Sequence, residues 1–171
     1  KAISAELSST SFVIPPRGID DILEFVNGLV SNDKVAGEDL EMVRASRPKT
    51  DNSIELTKFY VKQAQAAGKL GRIDVLLPAL RNAVKHAKNG RGIFGVSALQ
   101  ESNILYELST TESHVGNIGR GLEIMEQALA LVEGDSSWRG RDMKLSRLDE
   151  LGRKYAELGD IGKAEEYSAE A

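Results

Sequence analysis

The chain has 171 residues and no cysteine, and its 22 basic and 26 acidic side chains leave a formal net charge of −4. That balance argues against a general nucleic-acid binder, whose footprint is a broad basic face, and the missing thiols exclude disulfides, thiolate metal sites and cysteine nucleophiles. Hydrophobic residues at 41%, charged residues at 28% and aromatics at 5% describe a globular, helix-leaning chain, with no apolar run near the roughly 18 residues a membrane helix needs.

In chain order, residues 1–18 are polar up to Phe12-Val13-Ile14 and then meet Pro15-Pro16. Consecutive prolines do not enter a helix, so an extended arm is expected. Ile19 to Val30 sets Ile22, Phe25, Val26, Leu29 and Val30 on one helical face, with Asp20 and Asp21 in the first turn, where the helix dipole favours acids. A shorter helix from Gly37 to Ala45 carries Leu40 and Val43, and Pro48 closes the segment. Residues 19–48 therefore read as a helical pair, an N-terminal cap in preference to a degenerate repeat.

Asn52 with Glu55, and Ser97 with Gln100, have the spacing of capping boxes. They open helices expected over Asn52–Gly68 and Ser97–Ser113. Gly71 turns the first into Ile73–Ala87, where Pro78 removes a hydrogen bond at about 3 kcal/mol. That helix must start late or kink. Gly116 turns the second into Ile118–Val132, with Leu122, Met125, Leu129 and Val132 inward. Lys88–Gly95 and Gly134–Gly140 read as linkers. The second holds Trp138, which is either tucked against a helix or free as an interface anchor.

The last stretch, Leu145 to Ala171, carries the clearest pattern. Leu148, Leu151, Gly152 and Tyr155 recur at helical spacing, Gly159-Asp160 breaks the run, and Ile161, Ala164, Tyr167 and Ala171 begin another. Small Gly152 and Ala164 allow two helices to approach, and Tyr155 fills the remaining gap. This ladder resembles the tetratricopeptide repeat. Gly71, Ile73, Leu76 and Ala83 align with Gly116, Ile118, Gly121 and Ala128, and with Gly159, Ile161, Ala164 and Ala171. The strides are 45 residues from Gly71 to Gly116 and 43 from Gly116 to Gly159. Both exceed the usual period of about 34, as in the longer-period relatives of kinesin light chain type. The resemblance implies an all-α fold of three helical hairpins, over 52–88, 97–133 and 142–171, stacked as a right-handed solenoid. A last repeat without a polar cap implies a piece of a longer protein, and its apolar face would favour self-association.

Other signals have plainer readings. Gly90 to Gly95 spells G-x-G-x-x-G, but it follows a helix and no strand precedes it, so it reads as a linker. Gly116 to Gly121 lacks the Gly-Lys-Ser/Thr of a phosphate loop. His86 and His114 have no acidic partner at ligand spacing, so no metal site is expected. Neighbouring acids such as Glu165 and Glu166 point in different directions on a helix, so no catalytic pair is indicated. Arg81, Lys85, His86, Lys88 and Arg91 form either a solvated face or a contact for an acidic partner.

In the tetratricopeptide family, the first helices of successive repeats line a concave groove that captures a peptide. Carried over through the three glycines, the resemblance implies Lys58, Val61, Lys62, Gln65 and Lys69 from repeat one. Repeat two would supply Asn103, Tyr106, Glu107, Thr110 and His114, and repeat three Ser146, Asp149, Glu150, Arg153 and Glu157. Such a groove runs from basic to acidic. Ser109 and Glu112 stand where a small and a large residue belong, which would place an insertion in that helix. Chaperone-docking members clamp a terminal carboxylate with a Lys and, four residues on, an Asn. Val61 and Gln65 occupy those places, so chaperone tails are not expected ligands. The implied function is a non-enzymatic protein–protein interaction module, without cofactor, whose partner is a protein or peptide segment rather than nucleic acid or membrane. The alternative is a regulatory segment packing on the catalytic domain of a larger enzyme. The cytoplasm is the expected location.

Overall fold

Three glycines in the left-handed region punctuate the chain: Gly71 at φ 64°, Gly116 at 92° and Gly159 at 78°. Each follows a helix and closes it in the same way. The N–H three residues past the helix end (Arg72, Asn117, Asp160) donates to the carbonyl five residues earlier, that of Ala67, Glu112 and Tyr155, at 2.8, 2.8 and 2.9 Å. The glycine N–H donates to Gly68, Ser113 and Ala156. This is the Schellman arrangement, which satisfies the orphan carbonyls of a helix end and requires a residue that tolerates positive φ.

In the computed structural model, residues 33–92 and 94–171 are described. The expected arm over 1–18 and the helix over Ile19–Val30 lie outside them. Glu38–Ala171 is one compact unit. Seven helices occur among the described residues: α1 Asp33–Arg44, α2 Ser53–Lys69, α3 Ile73–Asn89, α4 Ala98–His114, α5 Ile118–Ala130, α6 Trp138–Glu157 and α7 Ile161–Glu170. No strand is present among them, and the nearest approach is an isolated bridge between Arg91 and Val96. The described portion is all-helical. From α2 onward each helix packs against the next in sequence, most closely within the pairs α2–α3, α4–α5 and α6–α7.

The caps differ in completeness. Ser97 and Gln100 form both bonds of the box. Asn52 accepts from the N–H groups of Ile54 and Glu55, but Glu55 makes no return bond, so that box is one-sided. Pro78 does not delay α3, which begins at Ile73 and runs through it. Pro78 is exposed, so the Asp74 carbonyl that its missing N–H would have served can turn to water. Trp138 is not in a linker. Ser137 accepts from Gly140 N–H at 3.0 Å and makes Trp138 the first residue of α6.

A continuous core runs from Ala64 on α2 to Ala164 on α7 and includes Ala83, Leu105, Met125, Ala128, Leu148 and Leu151. Val43 forms a smaller cluster with Ala66 and Ala67, and Gln63 holds the end of α1 by donating to the carbonyls of Met42, Val43 and Ala45. The expected insertion in α4 does not occur. α2 and α4 are both 17 residues long and end two residues before their glycines. Instead the small residue has changed sides. Ser109 donates to the Gly121 carbonyl at 2.6 Å, and a Cβ on Gly121 would collide with the Ser113 hydroxyl. Glu112 fills the place that Tyr155 takes in the next hairpin.

Candidate functional site

Lys58, Val61 and Lys62 lie on one face of α2, four and three residues apart, because 3.6 residues complete a turn. The matching face of α4 carries Asn103 and Glu107, and that of α6 carries Ser146. Three clefts open between these first helices. Two lie between α2 and α4. One is about 410 Å³, bounded by Lys58, Val61, Phe94 and Gln100. The other is about 690 Å³, bounded by Val61, Gln65, Lys69 and Glu107. The third, about 790 Å³, lies between α4 and α6 and is bounded by Gln100, Trp138, Arg139, Asp142, Ser146 and Arg147. Asn103 borders all three. Two of the clefts are bordered by apolar side chains left to solvent, Phe94 at 98% exposure and Trp138 at 72%.

The charges along this row differ from the expected gradient. Lys58 and Lys62 are exposed and make no ion pair among the described residues, whereas Lys69 reaches Asp39 at 3.2 Å. Glu150 is buried rather than presented, held by Arg153 at 2.7 Å and Lys154 at 3.2 Å. Burial would raise its carboxyl pKa, but the bonds from Arg153 and Lys154 prevail and lower it. Arg153 also binds Glu157. Glu150 and Glu157 are thus neutralised along their own helix by i, i+3 and i, i+4 pairing. Asp149 remains exposed and His114 lies exposed at the end of α4. Thr110 is half-buried with its hydroxyl unpartnered among the described residues.

The basic cluster is largely committed inside the molecule. Arg81 reaches across from α3 to Glu112, which is fully buried on α4, with contacts of 2.8 and 3.0 Å. Arg91 makes a bidentate pair with buried Glu101 at 2.7 and 2.8 Å. Lys88 donates to Gln127 at 3.4 Å. Burial pushes the Glu112 carboxyl up, but the bonds from Asn117 and Arg81 outweigh it and hold the pKa below the usual value. The glycine-rich segment serves the same join. Val96 N–H donates to the Gly90 carbonyl at 2.9 Å, and a Cβ on Gly95 would strike that oxygen. It fastens α3 to α4. His86 stacks flat on Tyr60, centroids 5.6 Å apart.

Arg147 is not among the residues that the resemblance places in the groove. It is 4% exposed, its guanidinium lies 4.5 Å over the Tyr106 ring, and it donates to Asn103 Oδ1 at 2.7 Å. Burial lowers its pKa, against the opposing field of Tyr106, Glu107 and Asp142. A signal did exist. Phe59 and Ile104 hold the same place in the two earlier hairpins at the strides of 45 and 43, so a cation stands where two apolar residues did. Among the described residues no three His, Asp or Glu side chains gather as a metal would require, and no helix is long and apolar enough to cross a membrane. No model of a known protein family matches the chain, and no curated protein or solved structure was found to match it.

Proposed function

We propose that residues 49–171 form three tetratricopeptide-like hairpins, stacked as a right-handed solenoid, and that the row of clefts along α2, α4 and α6 binds a segment of a partner protein. The module works by binding, without a cofactor. One observation carries this reading: three clefts of peptide-binding size lie side by side on the first helices, joined at Asn103. The three superposable glycine turns support the hairpin assignment, because a shared stride brings the first helices into the same relation each time.

Affinity would be spread over several anchors, with the exposed Lys58 and Lys62 steering an acidic stretch. A segment captured from the native source, resynthesised and titrated tests this. Reversing both lysines to Glu is expected to weaken it by about tenfold or more, with an unchanged circular dichroism spectrum. Equal binding by the two proteins places the site elsewhere.

A further inference from the structure

Five charged side chains are buried among the described residues: Glu101, Glu112, Arg147, Glu150 and Lys154. Four have an opposite charge in contact. Glu101 has Arg91, Glu112 has Arg81, and Glu150 has Arg153 and Lys154. Arg147 alone has no carboxylate within 4 Å among the described residues. Two of its nitrogens donate, to Asn103 and Ser146, while Nε is buried without a partner. A buried charge ordinarily requires an opposite charge to offset its lost hydration. Tyr106 and Asn103 hold this one in place without neutralising it.

Arg147 also borders the largest of the three clefts. Arg139 stands there too, and Asp142 is the only acid on the wall, so the lining carries two positive charges against one negative. Leu99, Met143 and the exposed Trp138 supply apolar surface beside them. A guanidinium carries five N–H donors, and those not taken up by Asn103 and Ser146 are left for a carboxylate.

Resting on the groove reading above, we propose that the cleft between α4 and α6 is a subsite for an acidic side chain, in which Arg147 receives a Glu or Asp carboxylate of the bound segment while Trp138 covers the neighbouring apolar residue. The cleft shares Gln100 and Asn103 with the next one, and a segment lying along the row would cross it rather than end in it. This favours a side-chain carboxylate over a terminal one.

Trp138 is the only tryptophan of the chain, so tryptophan emission, excited at wavelengths beyond tyrosine absorption, comes from this cleft. Three probes are titrated: Ac-Gly-Leu-Glu-Leu-Gly-NH2, the same peptide with Gln in place of Glu, and the Gln peptide with a free C-terminal carboxylate. The Glu peptide is expected to shift the Trp138 emission at about tenfold lower concentration than either Gln peptide, the value of one charge-assisted bond. Arg147→Met keeps the aliphatic stem and is expected to erase the Glu-over-Gln preference. A purely structural role for Arg147 would instead lower the melting temperature of Arg147→Met and leave that preference intact, which overturns the proposal. The wild-type comparison decides the matter even if the variant does not fold. Equal response to Glu and Gln peptides overturns the acidic subsite and leaves the groove standing. Response to the free-carboxylate peptide at the level of the Glu peptide overturns the side-chain assignment. No response to any peptide at millimolar concentration overturns the subsite and counts against the groove as well.

Discussion

Gly116 and Gly119 lie three residues apart and answer to different constraints. Both have open space where a Cβ would stand, but only Gly116 has positive φ. Gly116→Ala therefore meets backbone strain without steric clash and is expected to cost about 1 kcal/mol in urea denaturation. Gly119, in the first turn of α5, has no such need, and Gly119→Ala should stabilise by about 0.5 kcal/mol by restricting the unfolded chain. Loss of stability at both positions would separate the turn from its left-handed geometry. His86 is the residue at which acid is felt first. Its Nδ1 is buried without a partner among the described residues. Burial, with the fields of Lys85 and Arg47, lowers its pKa below the ordinary 6.5. Below that pH the unfolded chain takes up a proton that the folded one resists, so this contribution is complete above pH 6.5 and fades on acidification. His86→Phe keeps the stack on Tyr60. Urea midpoints between pH 7 and 5 should then fall less steeply in the variant than in the wild type.

At the scale of elements, α3 and α4 are joined by an apolar seam and two charged pins. Glu112 and Glu101 are buried, while their partners Arg81 and Arg91 are half exposed. The asymmetry decides which partner matters. Removing Arg81 strands a buried carboxylate with Asn117 as its remaining partner, whereas removing Glu112 leaves an arginine that water can solvate. Arg81→Met is expected to cost about 2 kcal/mol, below the full figure for a broken buried pair because Arg81 is partly solvated. Adding Glu112→Leu should recover much of that loss, since the leucine restores an apolar filling where the next hairpin has Tyr155. A double variant less stable than Arg81→Met would assign Glu112 a role beyond the pair. The helices themselves were legible. The Ser97 box, the three turns and the extents of α2, α4 and α5 follow from bonds closed within about six residues. The start of α6 was misread because Gly134 to Gly140 looks like a linker in composition, and Ser137 caps a helix in its midst.

For the whole molecule, the row of clefts is what the proposed binding depends on, and its charge was only half legible. Lys58 and Lys62 are exposed and unpaired among the described residues, which is why their reversal tests the groove. Of the expected acidic end, Glu150 and Glu157 are taken up by Arg153, while Asp149 stays exposed. Arg139 and Arg147 line the neighbouring cleft, which is the basis of the acidic subsite proposed above.

The sequence by itself determined the helices, the glycine turns and the stride between them. Each depends on backbone torsions and on hydrogen bonds between near neighbours, which composition and spacing reveal. Only the tertiary structure decided which charges meet. Arg81 and Glu112 are 31 residues apart and Arg147 and Asn103 are 44. Such pairs depend on how whole helices are set against one another, and burial then leaves one charge paired and another, Arg147, with no carboxylate in contact among the described residues.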